Sequence, residues 1–515
     1  MLMPASKRII AWSQKFQWNT DKLFCRYYCS KFEEALRRPQ ASVEKFHSKE
    51  VASQISRCGQ PTFTTHPFLL SEGEILPGIR REEFKQRRYQ FMELIFADSL
   101  LMYGKPMHHV IIVPSATKLY MTEKIPYIFH QNTDFLYLSG CLEPDTALVM
   151  TGSCMENMTS TFFVQRPDPH AELWDGPRTG IHDAPKLFGV DEALTILELS
   201  NFLVRNAKKH PDYLLYYDLL NNNPLVVQPL ITNHIQQFNI KCKSCKKFVD
   251  QLRLIKSPAE QNLMRRACEI SSLAIEKAME VTKPGVTEHQ LFATVDYESR
   301  MRGAEILAYP PVVASGRNAN IIHYISNNQI VDDGNLILMD AGCEYHGYCG
   351  DITRTWPVNG KFSNYQRILY EIVLEVQKSL IETCAEKISL NNVYRKMLFL
   401  LGQHLQSEKI LNIDSSNSTE LNEIVRQLCP HHVSHYLGMD VHDGRTVEKD
   451  IPLVPGMIVT IEPGLYTKEN SHLAPEFWNL GIRIEDDVLI TDTNYEVLSA
   501  RCPKEVRDVE RIMRK

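Results

Sequence analysis

The chain has no run approaching the roughly 18 uncharged apolar residues that a membrane crossing needs, and its mean hydropathy is −0.26. Nothing in it argues for a membrane-spanning protein. It also lacks an excess of positive charge, since 57 basic residues face 62 acidic ones for a net charge of −5. No broad positive field therefore draws it to nucleic acid or to an anionic membrane, and a small or peptide ligand suits it better. A disulfide framework is missing too. Thirteen cysteines, an odd number scattered over 515 residues, fit free thiols in a reducing compartment. One CxxC, Cys242 and Cys245, has no second pair to complete a zinc site, and its setting KCKSCKK reads as a solvated basic linker. Neither an internal repeat nor a low-complexity tract stands out.

What is present is length beyond the size of a single core, so at least two domains are expected. Residues 1–32 carry Lys7, Arg8, Lys15, Lys22, Arg26 and Lys31 against the single acid Asp21. Ile9, Trp12 and Phe16 fall on one helical stripe, and no apolar secretory core is present. Residues 1–60 are therefore expected to be a mitochondrial transit peptide and linker that sends the chain to the matrix, with a cytoplasmic form if the presequence is absent. A plain basic tail is the alternative. From about residue 65 to 240 the charged helical run REEFKQRRYQFMELIFADSLL and the apolar runs HHVIIVPSA, DTALVMTG, TFFVQR and DYLLYYDLL predict an α/β domain. A second domain, 250–505, opens with Ser257 placed to cap a helix, Pro258 at its first position and Glu260 at its third. It goes on to alternate helices with the β-rich runs NLILMDAG, DITRTWPV, GMIVTIEPG and IRIEDDVLIT.

The densest chemical signal is NLILMDAGCEYHGYCGDITRTWPV, two apolar runs around a turn-rich centre, each with one aspartate, Asp340 and Asp351. A turn between Tyr345 and His346 would set these aspartates directly opposite one another, about 5 Å apart at Cβ. Like charges that close are destabilising unless a cation pair neutralises them; two turn-flanking surface residues are the other reading. PHHVSHYLGMDVHD holds His431, His432, His435 and His442 within twelve residues, a density that suits metal ligation or acid–base work. Glu462 is expected at a strand end and Glu485 inside a strand that puts Arg483 and Glu485 on one face, Ile482 and Ile484 on the other. Two Asp, one His and two Glu form an oxygen-rich donor set that suits Mn²⁺, with Co²⁺ or Zn²⁺ compatible by geometry.

This ordered set, Asp340, Asp351, His435, Glu462 and Glu485, resembles that of the pita-bread metallopeptidases, which include methionine aminopeptidase, prolidase and aminopeptidase P. The wording MDAGCEYHGYCGDITRTWPVNGKF, SHYLGMDVHD and TIEPGLY is similar to aminopeptidase P, as are IPYIFHQNTDFLYLSG and AELWDGPRTG upstream. With the basic presequence, the likeness is to mitochondrial members of that family, and it runs from about residue 65 to 505. The resemblance implies an α/β N-terminal domain followed by a pita-bread domain of pseudo-two-fold α+β design. It implies hydrolysis of the bond between an N-terminal residue and a following proline. Two divalent ions would be held by Asp340 on one side, Asp351 and Glu485 in common, and His435 and Glu462 on the other. Glu462 would also handle a proton, His323 would orient or protonate the departing group, and His442 would stabilise the oxyanion. His431, Tyr466 and Arg483 match residues that line the proline pocket. Peptide or protein N-termini with proline second are the implied partners, a homodimer the implied assembly, and nucleic acid and membrane are not expected. A prolidase shares the metal set but cleaves only dipeptides. A scaffold that has lost its metals would show substituted ligands, and this chain keeps all five.

Overall fold

The apolar runs of the first half become the middle of one sheet. The computed structural model describes residues 58–218, 226–411, 418–469 and 472–514, so the expected presequence lies outside the described residues except for its last three positions. Strands Cys242–Lys243, Leu214–Tyr216, His109–Pro114, Ala147–Gly152, Thr159–Val164 and Glu192–Thr195 lie side by side in that order. The central pairings are antiparallel and the flanking ones parallel. Val110, Ile112, Val149, Phe163 and Leu215 pack on one face against Leu203 of helix Leu199–Lys209 and Ile231 of helix Val227–Phe238. Strands that are apolar on successive residues are those buried on both faces, and His109–Pro114 and Ala147–Gly152 are buried throughout.

The CxxC segment departs from the expected solvated linker. Cys242–Lys243 is the edge strand of this sheet, and Cys245 is buried at the start of helix Lys246–Leu254. Its basic charge is spent on partners: Lys243 Nζ lies 2.7 Å from the Tyr103 hydroxyl, and Lys246 pairs with Asp134 and Asp250. Sequence composition alone does not show that Tyr103 and Asp134, which dock Lys243 and Lys246, lie more than a hundred residues away. Every described cysteine is a free thiol.

The second half opens as its capping signals predict. Ser257 accepts from Glu260 N, Glu260 accepts from Ser257 N at 2.8 Å, and Pro258 begins helix Pro258–Val281. Two helix-and-sheet halves follow. The first joins helices Pro258–Val281 and Glu288–Met301 to the antiparallel sheet of Val312–Ser315, Leu336–Ala341 and Ile352–Pro357. The second joins helices Asn364–Thr383 and Leu390–Ser407 to strands Ile458–Ile461, Gly464–Thr467, Leu480–Arg483 and Asp486–Ile490. One apolar core runs through both halves, with Trp356, Leu369, Val373, Ile461 and Ile484 among its buried members. The run IRIEDDVLIT is broken: Leu480–Arg483 pairs with Gly464–Thr467, and Asp486–Ile490 pairs with Ile458–Ile461. Glu485 therefore sits at the junction between two strands, where its N–H donates to the Thr353 carbonyl at 3.0 Å.

Candidate metal centre

Asp340 and Asp351 are carried by one long hairpin whose register differs from the expected one. The tip pairs Glu344 with Cys349 and Tyr345 with Tyr348, leaving His346 and Gly347 as the two-residue loop. Both have positive φ, 49° and 82°, which a type I′ turn requires and the right-handed twist of a hairpin favours. Asp340 consequently faces Thr353 rather than Asp351. Moving a turn by one residue shifts the pairing by two, and an even shift keeps side chains on their face. The aspartates thus still share a face: the Tyr309 hydroxyl lies 2.6 Å from Oδ1 of each. A Cβ on Gly342 would collide with the Gly350 carbonyl, so glycine permits the close strand approach beside the aspartates.

The other ligand candidates arrive from the second half. Arg483 spends its whole guanidinium here, donating to Asp340 Oδ2 at 2.6 Å, the Tyr466 hydroxyl at 2.7 Å and Thr353 Oγ1 at 3.0 Å. Thr353 in turn donates to Glu485 Oε2 at 2.6 Å, so Arg483 and Glu485 meet on one threonine although Glu485 lies past the end of strand Leu480–Arg483. Glu462 follows strand Ile458–Ile461 directly, as expected. His435 Nδ1 donates to its neighbour's carbonyl, Tyr436 O at 3.2 Å, which leaves Nε2 aimed at Asp351 Oδ2 (3.4 Å) and Glu462 Oε1 (3.6 Å). Single ligand atoms of Asp351, His435 and Glu485 all lie within 4.8 Å of one another, the one such group among the described residues. The structure therefore gathers all five candidates.

Charge in this cluster is poorly balanced. Burial, reinforced by mutual repulsion, raises the carboxyls of Asp340 and Glu485 above the usual range and pushes Glu462 up to about 7, against the opposing pull of Arg483. His435 is driven the other way from what burial alone would do. The Asp351 hydrogen bond and the Glu462 charge carry it up to about 9. Tyr309 has one proton for two carboxylates. Four buried or partly buried carboxylates, set against the Arg483 guanidinium and the protonated His435 ring, fit divalent cations, one of which would take the place of the proton on His435 Nε2.

The pocket residues adjoin this centre. Tyr466 accepts from Arg483 and donates to His431 Nε2 at 2.9 Å, while His431 Nδ1 donates to His432 O at 3.0 Å. Burial and the Arg483 charge push His431 down to about 4, so it is neutral as this bonding demands. His442 and His323 are exposed on the rim; the His442 ring stands edge-on to His435 at 4.5 Å, and the His323 charge acts on both His431 and His442.

Sequence reasoning missed Tyr309, Thr353 and the pair Asp487–Cys268. Asp487 Oδ2 accepts from Asp351 N at 2.9 Å and from Cys268 Sγ at 3.0 Å. Thr353 could have been found from correct turn chemistry, since it faces Asp340; Tyr309 and Cys268 come from other segments and leave no local signal.

Residues 262–492 match the model of metallopeptidase family M24, and residues 84–216 match that of the aminopeptidase P N-terminal domain. Xaa-Pro aminopeptidase 3 of Homo sapiens is 44% identical over 464 residues, covering 88% of this chain and 90% of that protein. The mitochondrial intermediate cleaving peptidase 55 of Arabidopsis thaliana is 38% identical over 88% of this chain and 87% of its own length. Zinc-substituted Escherichia coli aminopeptidase P in complex with product superposes with a TM-score of 0.73 at 33% identity, over 84% of this chain and 98% of that one.

Proposed function

Since the chain belongs to metallopeptidase family M24, in its aminopeptidase P branch, we propose that it is a metal-dependent Xaa-Pro aminopeptidase cutting between any N-terminal residue and a following proline. The observation that carries this reading is the undercompensated carboxylate and imidazole cluster abutting the Arg483–Tyr466–His431 wall. Asp340 would hold one of two divalent ions, Asp351 and Glu485 would be shared, and His435 and Glu462 would hold the other; Mn²⁺ is the proposed metal, with Co²⁺ or Zn²⁺ compatible. Bound there, such ions would supply Lewis acidity toward water and the scissile carbonyl.

The chain's own groups account for the rest. Glu462 takes the proton of the attacking water. His442 donates toward the oxygen that gains charge, and His323 orients or protonates the departing nitrogen. Tyr466 has its hydroxyl tied to Arg483 and His431, so the wall offers ring surface to a compact ring that brings no N–H. Acidic residues nearby favour a free N-terminal amine. A peptide panel with and without added Mn²⁺ tests this. Xaa-Pro-Yaa peptides should be cut, Xaa-Ala analogues about 10 to 200-fold more slowly, and acetylated peptides poorly. Cleavage restricted to Xaa-Pro dipeptides would make the enzyme a prolidase, and equal rates with alanine would remove the proline pocket.

The basic segment Lys7 to Lys31 and the mitochondrial relative support action in mitochondria, in the matrix, on peptides or imported proteins. A reporter carrying residues 1–60 should be imported and shortened; retention in the cytosol would refute this. A homodimer is proposed as the working assembly, to be checked by sedimentation.

A further inference from the structure

His442 makes no hydrogen bond through its ring among the described residues, so its place is set by the backbone on either side of it. That backbone is pinned from one helix and the turn that follows it. Helix Lys246–Leu254, which packs on helix Arg81–Tyr103, turns Asp250 and Arg253 inward, both buried. Asp250 Oδ2 accepts from Thr446 N at 3.0 Å and from Thr446 Oγ1 at 2.8 Å. Arg253 Nη2 lies 2.8 Å from both Asp440 Oδ2 and Asp443 Oδ1, and Lys256 Nζ lies 3.4 Å from Asp443 Oδ2. The loop is thus held at residues 440, 443 and 446, with His442 between the first two pins.

The same guanidinium faces the other half of the chain. Its Nη1 donates to Asp134 Oδ1 at 2.6 Å and to Thr133 Oγ1 at 3.1 Å, and Thr133 also donates to Asp440 Oδ2 at 3.2 Å. Thr133 and Asp134 begin helix Thr133–Ser139, which packs on the six-stranded sheet. Only a planar, doubly forked cation can bond four such oxygens at once.

We propose that Arg253 is a positioning residue for peptide cleavage: through Asp440 and Asp443 it holds His442 at the metal centre, and through Asp134 and Thr133 it makes seating of the N-terminal sheet part of that geometry. The proposal rests on the reading of His442 as the oxyanion-side residue. A small misplacement of such a group is costly, up to about 100-fold in rate for about 1 Å.

The test is a double-mutant cycle on the full chain loaded with Mn²⁺, cleaving an Xaa-Pro-Yaa tripeptide. Arg253→Met should lower kcat roughly 10 to 100-fold while KM and bound metal stay near wild type, and Arg253→Lys should restore part of the loss. In a His442→Ala background Arg253→Met should cost little more, because the group it positions is gone. Equal losses in both backgrounds, or a loss confined to KM or to metal content, would overturn the proposal. Should Arg253→Met fail to fold, Asp440→Asn takes its place in the cycle, since that partly exposed side chain loses fewer contacts; it carries the same expectation of a kcat loss that vanishes without His442. An unchanged kcat for His442→Ala alone would instead bring down the reading of His442, and the proposal with it.

Discussion

Glu485, Asp486 and Asp487 are consecutive and all buried, yet the middle one sits in an electrostatic setting opposite to that of its two neighbours. Asp486 receives Arg354 at 2.7 Å, Ser499 at 2.6 Å, Gln377 at 2.8 Å and Lys504 at 2.5 Å. Burial works against its charge, yet Arg354 and Lys504 hold its carboxyl well below the usual range. Glu485 points the other way, toward Asp351, Glu462 and Asp340, and burial together with those charges lifts it well above that range. Asp487 is likewise raised by burial and by Asp351. A buried charge with its full set of donors holds the fold together. A cluster in which buried carboxylates outnumber the cations among them is a place prepared for another.

Breaking the satisfied side should have the largest effect. Asp486→Asn leaves Arg354 and Lys504 without their partner, and loss of one member of a buried pair costs about 3 to 5 kcal/mol. Denaturant unfolding should show it. Glu485→Gln, by contrast, removes repulsion, so the metal-stripped protein should be no less stable while metal loading and peptide cleavage are lost. Equal destabilisation by both changes would erase the contrast.

Acidity sharpens the same comparison at a somewhat smaller scale. With metal removed, Glu462 titrates near 7 folded against 4.5 unfolded. The folded state then binds more protons across that window, so stability falls as pH rises through it, by about 3 kcal/mol from this group. Asp486 has the opposite sign: its contribution is present above the unfolded carboxylate value and is lost as pH falls below it. Neutral His431, down at about 4, works in the opposite direction over the same window, so the comparison is made against Glu462→Gln. In chelator the wild type should lose more stability than this variant between pH 5 and pH 8, and metal loading should abolish the difference; equal losses without metal would contradict the charge imbalance.

The smallest effect is expected where the two aspartates share one donor. Tyr309→Phe removes the hydroxyl from Asp340 and Asp351 without touching a ligand, and such outer partners are typically worth about 10 to 100-fold in metal affinity. Calorimetric metal titration should register that loss with the unfolding curve unchanged. Unaltered affinity would mean that Arg483 and Asp487 suffice to orient the pair.

Legibility followed the range of the forces involved. The strands around Ile111, Val149, Phe162 and Met339 were readable because continuous apolar runs bury themselves wherever they land. The Ser257 cap was readable because its donor and acceptor are three residues apart. The hairpin register differs by two from the one a turn between Tyr345 and His346 predicts, because His346 takes a left-handed conformation usually left to glycine or asparagine. Asp340 and Asp351 share a face in either register because the shift is even. The apolar run IRIEDDVLIT predicts Glu485 inside a strand, whereas the chain changes sheets there.

By itself the sequence determined the element types, the two-part organisation and, through motif resemblance, the identity of the five ligand candidates, since these depend on residue type and short spacing. Tertiary structure alone decided which charges are compensated. Asp486 finds Arg354 132 residues away, Arg253 reaches Asp134 and Asp440 in two separate segments, and Tyr309 meets Asp340 and Asp351 across a sheet. Such pairings follow from the packing of whole elements, and the chain carries no local mark of them.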